Sequence, residues 1–179
     1  MFRLFRKSDQ EVAADRLYRS IVAQARLTPF YESWGVEDTV EGRFELISIH
    51  AFLLLHRLKS DRAVTALLSQ AFVDLMFADL DRNLREMGVG DMGIGKRVKL
   101  MASAFYGRVA AYDRGIFGDD DILGSAVLRN VFGGKDSGAG GAAHLATYMR
   151  CQARQLASAE LSEVLLGPSW APLPDVELD

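Results

Sequence analysis

Glycine punctuates Gly88-Val89-Gly90-Asp91-Met92-Gly93-Ile94-Gly95-Lys96 so densely that two phosphate-binding patterns overlap there. Gly88, Gly90 and Gly93 spell G-x-G-x-x-G, the turn that seats a dinucleotide pyrophosphate on a helix N-terminus after a strand. Gly90 to Lys96 spells G-x-x-x-x-G-K, in which backbone amides cradle phosphates and the lysine reaches them. Both patterns need a strand in front, whereas here a helical pattern precedes the glycines, and Arg97 stands where Ser or Thr must hold magnesium. A more modest chemistry remains. Amides exposed by glycine at a helix start, with Lys96, Arg97 and Lys99 beside them, attract an anion or an acidic partner. The bland reading of the same residues is a helix–helix joint cut tight by glycine.

Metal and nucleophile chemistry find less to use. His50 and His56 stand six apart on one predicted helix, so their side chains diverge by about 120° and do not share an ion. His144 is remote in sequence, and neither Glu-x-x-His nor His-Glu-x-x-His occurs, so the histidines read as core or surface-capped side chains. Cys151 sits in an alanine-rich helical stretch, and no serine lies in a nucleophile-elbow sequence. Asp74 and Asp81, seven apart, share a helix face, the geometry of a solvated stripe as much as of an acid–base pair. Asp79, Asp81, Arg82, Arg85 and Glu86 alternate in sign, as on a surface laced with weak ion pairs. Arg97 and Arg108, eleven apart, nearly coincide in azimuth and can flank a partner groove. These patterns predict no catalytic group, no metal and no cofactor.

The elements that must position these side chains are helices. Ser8 with Glu11 forms a capping box opening a helix to about residue 26, with Ala14, Leu17, Tyr18, Ile21, Val22 and Ala25 on one face. Thr28-Pro29 starts a short turn through Phe30, Tyr31 and Trp34, closed by Gly35, an aromatic knot expected to clamp the first two long helices. Asp38 with Glu41 repeats the capping box ahead of a central helix carrying Phe44, Ile47, Ala51, Leu54 and Leu58. Ser60 precedes another, whose stripe is Val64, Leu67, Leu68, Ala71, Phe72, Leu75 and Met76 and which Gly88 ends. Asp91 caps a fourth, striped by Val98, Met101, Ala102, Phe105, Val109 and Tyr112.

Beyond Gly115, Asp119-Asp120-Asp121 favours a helix start running through Val131. Residues 133–141 (GGKDSGAGG) have the composition of a flexible linker, and residues 142–157 and 161–166 read as helices before an extended acidic tail. The whole predicts an all-α, single-domain bundle of about six to seven helices spanning residues 1–179, with no strand of useful length.

Bulk properties narrow the partners. The 179 residues suit one domain with a real core, and 49% hydrophobic with 25% charged residues is ordinary globular composition. A formal net charge of -3 argues against a free-DNA binder whose whole surface is a phosphate field. The single cysteine fits a reducing compartment, and polar residues from Ser8 onward break up any secretory signal, so the cytoplasm is expected. The longest apolar run is Ala51 to Leu55, which predicts no membrane span. Residues 2–7 pair apolar with basic side chains, and a peripheral graze of an anionic bilayer is one use for them.

Taken as a unit, Phe77-Ala78-Asp79-Leu80-Asp81-Arg82-Asn83-Leu84-Arg85-Glu86-Met87-Gly88-Val89-Gly90-Asp91 followed by Gly95-Lys96-Arg97-Val98-Lys99 resembles the ubiquinol-cytochrome c chaperone family. The resemblance extends to Ala104-Phe105-Tyr106-Gly107-Arg108 and upstream to Tyr31, Trp34, Gly35, Asp38, Gly42, Arg43, Phe44 and Ile49-His50-Ala51-Phe52-Leu53. It covers roughly residues 10–115 and fades after Gly115, leaving residues 116–166 as variable helices and 167–179 as the tail.

The resemblance implies an all-helical, non-enzymatic assembly factor for the cytochrome bc1 complex, in compact bacterial form. Mitochondrial members act on newly made cytochrome b near the ribosomal exit tunnel, together with a second small assembly protein. The candidate binding surface it implies is Asp79, Asp81, Arg82, Asn83, Arg85, Glu86, Asp91, Lys96, Arg97, Lys99 and Arg108. Two other readings stay open: a ribosome- or RNA-associated module whose binding weakens steeply with salt, and a nucleotide-dependent switch on residues 88–96.

Overall fold

Helix α3 (Val40–Lys59) is buried on almost every side, as its near-continuous run of apolar residues from Leu46 to Leu58 requires. It is the axis of a computed structural model that describes residues 7–88 and 91–173, without the side chains of Lys7, Ser8, Asp91, Met92 and Asp120. Around α3 pack α1 (Lys7–Ala25), α4 (Arg62–Glu86), α5 (Asp91–Gly115) and α7 (Ala139–Ser158). Three further helices, α2 (Pro29–Glu32), α6 (Asp120–Val131) and α8 (Leu161–Leu166), complete an all-α fold with no strand among the described residues. Of the expected contact through residues 2–7, residues 2–6 and the Lys7 side chain lie outside the described residues, as do the last six residues of the expected tail and the side chains of the Ser8 and Asp91 caps.

Two apolar clusters share α3. One joins Leu17 and Ile21 of α1 to Leu54 and Leu58 of α3, Phe72 and Met76 of α4, and Phe105 of α5. The other joins Leu46, Ile49 and Leu53 of α3 to Leu123 and Val127 of α6, and Leu145, Met149 and Leu156 of α7. The helices after Gly115 are therefore half of the core rather than an appendage to four N-terminal helices. Helix α6 opens as its aspartates predict, with the Asp119 carboxylate accepting from the Asp121 amide at 3.2 Å.

Several local details differ from the sequence expectation. Thr39, not Asp38, caps α3, its hydroxyl accepting from the Gly42 amide at 3.1 Å. Asp38 instead pairs with Arg43 at 2.6 Å. Helix α4 is rotated from its expected stripe: Leu68, Phe72 and Met76 are buried, but Val64 and Leu67 are 46% and 66% exposed. The buried member of its first turn is Thr65, whose hydroxyl donates 2.7 Å to the Leu58 carbonyl and so closes the α3–α4 corner. The aromatic knot clamps a different pair of helices, since Phe30 and Trp34 meet His50 of α3 and Tyr148 of α7 at ring distances of 5.1–5.9 Å among themselves and with His144.

The glycine-rich stretch 133–141, expected as a flexible linker, is a packed corner. Gly133 and Gly134 take the left-handed φ values of 63° and 73° that turn the chain, and a 3-10 turn (Asp136–Gly138) leads directly into α7. A Cβ on Gly141 would lie 2.1 Å from the Trp34 carbonyl oxygen, so close approach, not mobility, selects glycine there. The chain after α8 is likewise docked through Leu173: Gln152 exchanges two hydrogen bonds with Ala171, at 2.9 and 2.8 Å, and Trp170 donates to Ser20 at 3.1 Å.

By length and average composition α4 is apolar enough to cross a membrane, a property the search for uninterrupted apolar runs misses. In this fold it lies against α1, α3 and α5.

Candidate functional site

The α4–α5 corner holds the residues singled out by sequence, and the structure divides them by what they touch. At the end of α4, Asp79 is an internal strut: its carboxylate accepts 2.9 Å from the Tyr18 hydroxyl of α1, and Asn83 and Arg82 donate to it at 3.0 and 3.2 Å. Burial first, then the Asp79 hydrogen bond, push the Tyr18 phenol far above its ordinary range, so the hydroxyl stays a donor. Asp81 and Arg85 pair along the outer surface at 2.7 Å, one turn apart. Glu86 is exposed.

On α5 the cations separate by direction. Arg97 reaches α3 and donates 2.5 Å to Glu41. Arg108 is committed more deeply, its Nε donating 2.5 Å to the buried Glu45 carboxylate and its Nη2 to the other oxygen, with the guanidinium 5.8 Å from the Phe44 ring centre. Burial pushes the Glu45 carboxyl up against the opposing pull of Arg108. The expected groove flanked by Arg97 and Arg108 is therefore filled by α3 itself. Lys96 and Lys99 face outward. Asp91 is the first residue of α5, and its side chain lies outside the described set.

Sequence reasoning missed Glu41 and Glu45, the acceptors for both arginines. A signal was there, since Glu45 interrupts the apolar run from Phe44 to Leu46 and a buried carboxylate needs a cationic partner. The phosphate-loop patterns dissolve in three dimensions. Helix α4 comes before the glycines, and Gly93, Gly95 and Lys96 lie within the first two turns of α5, their amides engaged in or aimed along the helix rather than wrapped round a ligand.

The histidines have separate duties. His50 is fully buried, with Nδ1 2.7 Å from the Leu46 carbonyl and Nε2 2.8 Å from the Tyr148 hydroxyl. His56 meets Asp113 at 2.9 Å, which in turn accepts from Lys59 at 3.2 Å, tying α3 to the end of α5. His144 stacks near Trp34.

A groove of about 750 Å³ lies between the end of α1, α2 and the start of α3, lined by Arg26, Tyr31, Asp38 and Arg43 among others. Its charges answer each other: the Arg43 hydrogen bond holds the Asp38 carboxyl below the usual carboxylate range. Burial raises the Tyr31 phenol, which donates 2.8 Å to the Ala25 carbonyl.

Comparison with known proteins follows the same body of helices. Residues 32–170 match the family described as Ubiquinol-cytochrome C chaperone, so the match continues through α6, α7 and α8, well past Gly115 where the sequence resemblance fades. Over 165 residues the chain is 30% identical to ubiquinol-cytochrome c reductase complex assembly factor 1 of Homo sapiens and 29% identical to that of Mus musculus. These alignments cover 91% of this chain but 55% and 56% of those proteins, so the chain spans about half the length of these curated relatives. The crystal structure of the Cbp3 homolog from Brucella abortus superposes with a TM-score of 0.84 at 35% identity, covering 96% of both chains. By fold and by sequence, this chain belongs to the ubiquinol-cytochrome c chaperone family.

Proposed function

We propose that this chain is a non-enzymatic chaperone for assembly of the cytochrome bc1 complex, and that it holds cytochrome b, nascent or newly inserted, at the α4–α5 corner. The observation that supports this most is the end-to-end match to a Cbp3 homolog, joined to relatives whose names state reductase-complex assembly. The corner fits a polypeptide client because exposed side chains of both signs, Arg85, Glu86, Lys96 and Lys99, and the half-buried Asp81 stand on two rigid helices while Arg97, Arg108 and Asp79 fix those helices to α3 and α1. The working place is the cytoplasm beside the inner membrane, near ribosomes that make the client.

The experiment is a deletion strain combined with site-specific cross-linking. Deletion is expected to lower assembled bc1 complex on native gels. A photoreactive residue at Glu86 is expected to give an adduct with cytochrome b, whereas one at Arg19 on exposed α1 surface is not. Normal bc1 levels in the deletion strain would sink the reading.

A further inference from the structure

Between Met92 and Tyr112 the sequence carries no Asp or Glu, in a protein whose net charge is -3. The four cations of this stretch split by face. Arg97 and Arg108 are neutralised by Glu41 and Glu45 on α3, so the outward charge of this stretch comes from Lys96 and Lys99. At 100° per residue, Lys96, Leu100, Ser103 and Gly107 fall within about 60° of one another, with Lys99 and Tyr106 on the adjoining flank. All six are exposed, Leu100 to 62% and Tyr106 to 57%, on a helix that sends Phe105 and Tyr112 into the core.

From this arrangement we infer that the outer face of α5 is a contact surface for an anionic lipid bilayer. Leu100 and Tyr106 border this face from opposite sides, about 120° apart in azimuth and about 9 Å apart along the axis, with the short Ser103 and Gly107 between them. A tyrosine, apolar in its ring and polar at its tip, suits the headgroup level of a bilayer. The lysine stems lie along apolar surface while their ammonium groups reach anionic headgroups. The charge complementarity is to an acidic plane: α5 itself carries no carboxylate for about 30 Å of helix, and the Glu41 carboxylate of α3 beside it is paired with Arg97. This surface is distinct from residues 2–7 and shares Lys96 and Lys99 with the proposed client corner, so bilayer and client would meet the same two lysines.

The test uses the purified full chain and sedimentation with vesicles. Vesicles of phosphatidylcholine mixed with phosphatidylglycerol are expected to bind it, and vesicles of phosphatidylcholine alone are not, with binding that declines as salt rises. The double change Lys96→Gln with Lys99→Gln is expected to reduce partitioning roughly 30-fold, at about fivefold per lysine. Lys135→Gln, elsewhere on the surface, is expected to leave it unchanged. Far-UV circular dichroism and melting confirm that each variant folds. A Tyr106→Trp reporter is expected to be quenched by brominated lipid more than the wild-type protein, whose Trp34 is buried and whose half-buried Trp170 is hydrogen-bonded to Ser20 of α1. Lack of binding to the mixed vesicles overturns the inference, and so does binding that the double variant leaves intact. Preference for an acidic peptide such as polyglutamate over the mixed vesicles overturns it as well, assigning the face to a protein partner. None of these results alters bc1 levels in a deletion strain, so the two readings fail separately.

Discussion

Lowering the pH should expose how much of the fold rests on His50. The ring is fully buried, and because the Leu46 carbonyl can only accept, Nδ1 carries the proton and Nε2 accepts from the Tyr148 hydroxyl. Tyr148 in turn accepts from Gln24 of α1 at 3.0 Å, so three helices meet in one chain of hydrogen bonds. Burial lowers the His50 pKa to about 4, against a partial restoring pull from the Leu46 carbonyl. The folded protein thus stays neutral at His50 while the unfolded chain takes up a proton near its ordinary 6.5. Between those values the unfolded state binds one more proton, and stability falls as pH falls. At about 1.4 kcal/mol per pH unit, the step from pH 7 to 4.5 should remove roughly 2 to 3 kcal/mol on this account alone. Carboxylates lose stability over part of the same range, so the measurement must be a difference. Urea unfolding followed by circular dichroism, at both pH values, is to be compared for wild type and His50→Gln, which cannot titrate. The variant should start less stable at pH 7 yet lose roughly 2 kcal/mol less on acidification. If both lose the same amount, His50 does not carry this dependence and the burial argument is wrong.

Three further outcomes follow from the packing. Gly141→Ala should cost about 3 kcal/mol, because its Cβ meets the Trp34 carbonyl at 2.1 Å, whereas Gly140→Ala, with nothing within 4 Å, should be neutral or stabilising in a thermal melt. Arg108→Ala should cost about 3 kcal/mol by leaving the buried Glu45 without its partner, while Lys96→Ala should change the denaturant midpoint by less than about 0.5 kcal/mol equivalent. Leu68→Ala should destabilise by about 3 kcal/mol, and Leu67→Ala, one residue away but 66% exposed, should be nearly silent in the same unfolding assay.

The helical order was legible because each long segment repeats apolar residues at helical spacing and most ends carry a capping or breaking residue. Faces were harder. In α4 the apolar residues Val64, Leu67, Leu68, Ala71 and Phe72 spread too widely round the helix for sequence to say which ones a neighbour covers. The choice is made by α1, which draws Leu68, Phe72 and Met76 inward and leaves Val64 and Leu67 outside. Composition also misled at residues 133–141, where glycine serves two unlike purposes. Gly133 and Gly134 supply left-handed turns, but Gly138 and Gly141 make room for the Phe132 ring and the Trp34 carbonyl. Such room depends on a chain segment a hundred residues away, which no local pattern records.

The candidate site shows the same division in its cations. Arginine presents a planar fork suited to gripping a carboxylate, and Arg97 and Arg108 bind Glu41 and Glu45 on α3, Arg108 with two donors. Lysine is a flexible, well-hydrated point charge, and Lys96 and Lys99 are the ones left facing out. Among the four cations between Met92 and Tyr112, residue type thus separates those that tie α5 to α3 from those that face out, although all four look alike as positive charge in one stretch of sequence. Rigidity matters for either proposed partner, because side chains on a corner fixed to two helices lose less freedom on binding than the same side chains on a mobile loop. In either proposal the buried Arg108–Glu45 pair would act without touching the partner, by holding in place the helix that carries the lysines.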